Sequence, residues 1–324
     1  MQPSFSISDT NVHDIVEILE SGNWVGHYKY YDELSKIMSD MTGVKYIVPC
    51  ANCTQAMIIL LQMCGLRDGS LIATPAFTWS SINIAAQYSG SKIVYCDIDP
   101  DTWHMDLNSI IEHNLYEYIK VIVPVDIFGS NFVTYTNKVR IIDAAHSFGT
   151  KLLGKRAPTE VVSFSYTKPV TGMQGGVVLT NNAEIYSETV KMVDLSAKMC
   201  EINAYIILRN IERFSETQAK RMSIINIYRK NLNGNVPYVE QKIPFDTNYS
   251  VYGIVIKDYD MAEKIRKQLD LSDIEYKQYY KPLVSGLKNT DDLYKRIICL
   301  PVYHGMEDNI DYTCETIIGA IQCK

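Results

Sequence analysis

The stretch Val161-Val162-Ser163-Phe164-Ser165-Tyr166-Thr167-Lys168-Pro169-Val170-Thr171-Gly172-Met173-Gln174-Gly175-Gly176 frames the rest of the chain. It opens on an apolar, β-branched run, reaches one lysine, and returns through glycines into a second strand-like run at 176–180. A loop lysine is ordinarily a solvated surface group. Here it stands between two strands that read as buried, and Pro169 biases it toward an extended backbone. That suits a fixed side chain better than a fluid loop.

Upstream, short β-branched runs recur at 46–49, 71–74, 92–96, 120–125 and 140–142, with 161–165 and 176–180 completing the set. Helical stretches at 55–64 and 80–88 lie between some of them. Strand–helix alternation over this length predicts an α/β domain with a mostly parallel sheet. Helices are also expected over 12–19 and 31–41, ending at Gly22 and Gly43. Downstream the pattern turns helical over 183–195 and along one long helix from about 199 to 232. A strand at 250–256, a helix at 261–269, an aromatic segment at 276–283, a strand at 297–301 and a helix at 310–321 follow. These predict a smaller second α/β domain, so the expected division is 1–215 and 216–324.

The chain has 324 residues, 47% of them hydrophobic and 21% charged, which excludes disorder. There are 31 Lys and Arg against 37 Asp and Glu, a net charge of −6 with no basic block. A polymeric nucleic acid or an anionic membrane is therefore not an expected partner. No apolar run approaches a membrane span of about 18 residues. The first residues, MQPSFSISDTN, lack the basic start and apolar stretch of a signal peptide. The eight cysteines are scattered and suggest neither a zinc site nor a disulfide framework, so a reduced cytoplasmic enzyme is expected.

In parallel sheets ligands bind beyond the carboxyl ends of the strands, and four segments there carry chemistry. Asn52-Cys53-Thr54-Gln55 opens a helix; Asn or Thr there is usually only a cap, but a helix start also binds anions. Trp79, in Phe77-Thr78-Trp79, is either packing or a surface for a flat ring. Asp143 follows Ile141-Ile142, as a cap or as an anion held against a ligand cation. His146, three residues on, is a core histidine by default. Ser163 and Lys168 complete the set. Together they match the needs of pyridoxal phosphate (PLP): a lysine for the Schiff base, a carboxylate for the ring nitrogen, a phosphate pocket and ring packing.

At this point the chain resembles the DegT/DnrJ/EryC1/StrS sugar aminotransferases, within the fold-type I PLP enzymes, from about Asn23 to its C-terminus. The likeness is carried by Thr42-Gly43-Val44-Lys45-Tyr46, Pro75-Ala76-Phe77-Thr78-Trp79, Asp97-Ile98-Asp99-Pro100 and Ile142-Asp143-Ala144-Ala145-His146-Ser147-Phe148-Gly149. The stretch from Ser163 to Gly176, Tyr280-Lys281-Pro282-Leu283 and Leu300-Pro301-Val302-Tyr303 add to it. The resemblance implies a mostly parallel central sheet with helices on both faces and a smaller C-terminal α/β domain. It implies Lys168 as Schiff-base lysine and proton shuttle and Asp143 on the pyridinium nitrogen. His146 stands where the family usually has Gln, against the phenolic oxygen, and Trp79 would stack on the ring. Ser163, Thr54 and the Cys53 backbone would hold the phosphate.

The chain departs from the family at Cys53, where Gly is common, at Gln174, where Glu is frequent, and at Ser196, in place of an Asn that reaches the partner subunit's phosphate. Segments between 127 and 140, around 155–160 and between 180 and 199 are short for the family. The resemblance implies a homodimeric aminotransferase that moves an amino group from L-glutamate to a nucleotide-linked keto sugar, 4-keto-6-deoxy or 3-keto. A PLP-dependent sugar dehydratase or lyase on the same fold is the alternative, although family dehydratases commonly replace the lysine with His. A PLP-binding protein without turnover is a third reading.

Overall fold

The computed structural model describes residues 10–66, 68–303 and 305–322. The start of the stretch read for a signal peptide, and Cys323, lie outside them.

Two N-terminal helices come first, α1 (Val12–Ser21) and α2 (Lys29–Thr42). Asn11 caps α1 by accepting from His13 N, and Gly22 and Gly43 end the two helices at φ +75. The chain then alternates through β1 (Tyr46–Cys50), α3 (Cys53–Met63), β2 (Leu71–Pro75), α4 (Ser81–Tyr88) and β3 (Lys92–Cys96). The short α5 (Asn108–Ile111) precedes β4 (Ile119–Ile122), β5 (Val139–Asp143), β6 (Thr159–Ser163) and β7 (Gly176–Thr180). These seven strands form one sheet in the order β1-β7-β6-β5-β4-β2-β3. β7 runs antiparallel to both neighbours, and every other pair is parallel.

Helices cover both faces, so the strands are apolar on both. All five residues of β6 and of β7 are buried, as a sheet sandwiched by helices requires. One face packs on α3, α4 and α6 (Ala183–Ser196), through Leu60, Leu61, Val121, Val161 and Val178. The other packs on α2 and α7 (Glu201–Glu212), through Leu34, Met38, Ile142, Val162 and Ile207. Helix α3 has almost no polar side: residues 56 to 61 are all buried. Each of its aliphatic side chains contributes about 1.5–3 kcal/mol by leaving water.

The expected single helix from about 199 to 232 is two helices. It breaks at Arg213, and α8 (Phe214–Leu232) starts there. The break lets Phe214 pack edge-on against Phe148, ring centroids 5.0 Å apart. From α8 the chain builds a three-stranded antiparallel sheet, β10-β9-β8. Its strands are β8 (Tyr238–Glu240), β9 (Tyr252–Ile256) and β10 (Ile297–Leu300). They pack on α8, α9 (Tyr259–Leu271) and α11 (Ile310–Gln322). Helix α10 (Lys288–Arg296) was not expected from the sequence. A layer of aromatic and aliphatic side chains, Phe77, Trp103, Phe128, Val251, Tyr280 and Ile297, joins this unit to the large sheet, beside the carboxyl ends of its strands.

Candidate active site

The expected residues other than Ser196 follow or close strand ends of the large sheet. Asp143 closes β5, and its backbone is pinned to the link after β4 by Asp143 N→Pro124 O at 2.9 Å and Asp126 N→Asp143 O at 3.0 Å. β6 ends at Ser163, two residues earlier than the sequence pattern implies. The loop after it is nonetheless tied down. Phe164 N donates to Gly175 O at 2.9 Å, Gly172 N to Phe164 O at 3.0 Å and Lys168 N to Ser165 O at 3.0 Å. Across the sheet, β1 leads through Asn52 into α3, and the Asn52 side chain accepts from Gln55 N at 2.9 Å. The first-turn amides of Cys53 and Thr54 have no acceptor inside the helix. Gly176 packs directly under this turn. A Cβ there would stand 2.6 Å from both Asn52 C and Cys53 N, so no side chain fits.

Cys53, Thr54, Trp79, Asp143, His146, Ser163 and Lys168 therefore line one cavity of about 480 Å³, together with Gln174, Tyr279 and Tyr280. Ser196 does not line it. It ends α6, its hydroxyl donating to Met192 O at 3.0 Å. The neighbouring Ala197 O accepts from Ala51 N beside the α3 turn, at 2.7 Å.

At the centre, Lys168 Nζ lies 2.7 Å from His146 Nε2, and Tyr280 OH lies 3.0 Å from the same nitrogen. His146 Nδ1 lies 2.8 Å from Ser250 Oγ. Burial pushes the Lys168 amine down to about 8, against the opposing pull of Asp143 and Cys53. Burial, and then the Lys168 charge, hold His146 well below the ordinary imidazole value, so the ring is neutral. Burial raises Asp143, while the Ala145 N–H (3.0 Å) and Lys168 pull it back. Trp79 meets Tyr280 edge-on at 6.3 Å and is 61% exposed, a free face at the cavity's edge.

Cys50 and Cys53 stand three apart across the turn, a Cys-x-x-Cys spacing that the impression of scattered cysteines passes over. Burial pushes both thiols up, Cys50 to about 12 and Cys53 well above the ordinary value. Neither supplies a thiolate near neutral pH. The sequence reading took Ser250 only as the start of a strand and missed its contact with His146; it is one of several polar residues before β9, with no pattern to mark it.

A lysine amine near 8, a carboxylate beside it and a helix N-terminus flanked by Thr54 and Ser163 make a donor set for a phosphorylated aldehyde with a basic ring nitrogen. Residues 6–318 match the DegT/DnrJ/EryC1/StrS aminotransferase family. The chain belongs to that family.

Among curated relatives, the UDP-2-acetamido-2-deoxy-3-oxo-D-glucuronate aminotransferase of Pseudomonas aeruginosa is 27% identical over 76% of each chain. GDP-perosamine synthase of Escherichia coli O157:H7 is 25% identical over 93% of each. A solved DegT DnrJ EryC1 StrS aminotransferase from Brucella abortus shares the fold at a TM-score of 0.87, with 23% identity over 98% of this chain and 96% of that one. NtdA of Bacillus subtilis, solved with bound cofactor PMP, superposes at 0.81, with 21% identity over 98% and 83%. The chain is thus a sugar aminotransferase of the fold-type I class, and its family implies pyridoxal phosphate. No described helix is long and apolar enough to cross a membrane.

Proposed function

We propose that this enzyme uses pyridoxal 5′-phosphate to transfer the amino group of L-glutamate to a nucleotide-linked keto sugar, 4-keto-6-deoxy or 3-keto. The observation that carries the reading is the pairing of Lys168, its amine near 8, with Asp143 in one cavity at the strand ends. Lys168 holds the cofactor, Asp143 faces its ring nitrogen and Trp79 covers its ring. His146 faces the phenolic oxygen, and Thr54, Ser163 and the Cys53 amide take the phosphate. When bound, the cofactor supplies an electron sink for the carbon that gains or loses the amino group.

The chain's own part is proton transfer. A neutral Lys168 Nζ takes the α-proton from the amino donor, and in the second half-reaction it delivers a proton to the former carbonyl carbon of the sugar. One group thus acts as base and acid, which suits a pKa close to the working pH. Asp143 holds its negative charge against the site throughout. Tyr279 and Tyr280 supply apolar walls and a hydroxyl.

The active unit in this reading is a homodimer, with Ser196 facing the partner's phosphate site. Trp79, Tyr166 and Met173 stand exposed at and beside the cavity mouth, which supports a covering partner. The chain divides at about residue 215, where α8 begins.

The test is a panel of nucleotide-linked keto sugars offered to the PLP-loaded enzyme with glutamate. Mass spectrometry should show a nucleotide-linked amino sugar and 2-oxoglutarate. Amine transfer to simple α-keto acids alone would replace the sugar reading with an amino-acid aminotransferase.

A further inference from the structure

His146 is held within a closed ring of hydrogen bonds that begins and ends on itself. Its backbone O accepts from Asn248 Nδ2 at 2.6 Å, and that amide also donates to Phe148 O at 2.8 Å. Asn248 Oδ1 accepts from Ser250 N at 2.8 Å. Ser250 Oγ then meets His146 Nδ1 at 2.8 Å. Gly129 backs the ring closely, since a Cβ there would stand 1.9 Å from Asn248 Oδ1 and 3.0 Å from His146 O. Ser250 is buried and does not line the cavity. It reaches the site only through the imidazole, whose other nitrogen faces Lys168 and Tyr280.

A neutral imidazole carries one hydrogen, so one nitrogen donates and the other accepts. A charged Lys168 amine has only hydrogens to offer. Nε2 must then accept, and Nδ1–H donates to Ser250 Oγ. Once the amine is neutral, its lone pair or a ligand oxygen can accept from Nε2–H, and Nδ1 then needs a donor. A hydroxyl serves both needs by rotating in place.

We propose that Ser250 is a positioning residue for this reaction: its hydroxyl lets His146 exchange tautomers without moving, an acceptor toward charged Lys168 and a donor toward a ligand oxygen. The inference rests on reading His146 as a cofactor-facing residue. The other titratable groups lining the cavity are Cys53, Asp143, Tyr166, Tyr279 and Tyr280. Burial pushes Cys53, Tyr279 and Tyr280 up. Burial raises Asp143 while Lys168 pulls it back, and Lys168 is the charged neighbour that acts on His146.

Histidine-selective 15N spectra of the cofactor-free full chain read the tautomer directly, with the His146 signal assigned by its loss in His146→Gln. In the wild type it should move from Nδ1–H toward Nε2–H as pH passes about 8. Ser250→Ala should hold one tautomer throughout, and Ser250→Thr should restore the change. In the loaded enzyme Ser250→Ala should lower kcat roughly tenfold, the size of one lost hydrogen bond, and leave KM for the amino donor near wild type. An unchanged His146 titration in Ser250→Ala, or a Ser250→Thr variant that behaves like Ser250→Ala, overturns the proposal. If the alanine variant does not fold, a wild-type His146 that keeps one tautomer through the Lys168 titration overturns it as well. The spectra need no sugar substrate, so failure of the sugar reading leaves this test standing.

Discussion

Two groups of buried charge lie at adjoining strands of the large sheet. In one, Arg156 makes paired contacts to Asp126 at 2.5 and 2.7 Å and reaches Glu160 at 2.6 Å. Ser147 Oγ also donates to Asp126, and Arg156 N to Glu160 at 2.9 Å. Burial works against the Arg156 charge, but Asp126 and Glu160 outweigh it and hold its pKa above the ordinary value. In the other group Lys168 meets an imidazole rather than a carboxylate, and the hydrogen bond described for the Asp143 carboxylate comes from a single backbone amide. Here burial wins and lowers the lysine. The first cluster is closed on itself and has nothing left to offer a ligand. The second keeps its charges poorly matched and turned toward a cavity. Burial alone therefore does not mark a catalytic group; incomplete pairing at an opening does.

Removing the lysine should separate the two clusters most sharply. Lys168→Met is expected to cut turnover by about 10⁴-fold or more, since it takes away nucleophile and proton carrier together. Its folding stability should not fall. The fold disfavours the Lys168 charge, and that cost is fully present below about 8 and gone above the ordinary 10.5. Wild-type stability relative to Lys168→Met should therefore rise as pH climbs between those values, in urea titrations at several pH values. A variant markedly less stable than wild type at neutral pH would mean that Lys168 belongs to the closed kind of cluster.

Arg156→Met makes the opposite prediction. It strands Asp126 and Glu160 without their counter-charge, and breaking a buried pair costs about 3–5 kcal/mol. Equilibrium unfolding should show that loss at neutral pH. A stability within about 0.5 kcal/mol of wild type, the range of ordinary surface changes, would undo the account of a closed cluster.

Much of this was readable in advance, for physical reasons that also explain the rest. β3 and β7 fall where the β-branched runs end, because each run is bounded by a turn residue. Asp143 was visible because a charge at the end of an apolar strand is costly unless something uses it, and Lys168 because it stands in a Pro-restricted loop between two buried strands. The break at Arg213 was invisible, since residues 199 to 232 carry neither Gly nor Pro and helical propensity runs through. Helix α10 was missed because only Thr290 and Leu293 are buried among its charged residues. The Asp126–Arg156–Glu160 cluster draws on the β4–β5 link, the β5–β6 link and β6 itself, and Ser250 lies 104 residues from His146. Pairings at that separation leave no periodicity in a single sequence.

The third test substitutes the carboxylate of the open cluster. Asp143→Asn keeps the shape and the Ala145 hydrogen bond but removes the charge, so the fold should hold. Turnover with saturating glutamate should drop by about 10²–10³-fold, comparable to losing one preorganised electrostatic contact. Turnover close to wild type would reduce Asp143 to a cap for the turn after β5.

The same variant carries the smallest and most diagnostic effect. Asp143 supports the Lys168 ammonium against burial, so neutralising it leaves burial less opposed and the amine easier to deprotonate. In cofactor-free protein the rate of Lys168 acylation, followed by peptide mapping, should rise with pH around a midpoint near 8 in the wild type. In Asp143→Asn that midpoint should fall, by less than about one pH unit, since one unit already corresponds to about 1.4 kcal/mol of interaction. In Arg156→Met it should stay near wild type if the protein folds, because Asp126 and Glu160 are not among the charges that shift Lys168. A midpoint that rises in Asp143→Asn would mean that the carboxylate does not sense the amine as a charge. The two clusters would then differ only in their packing.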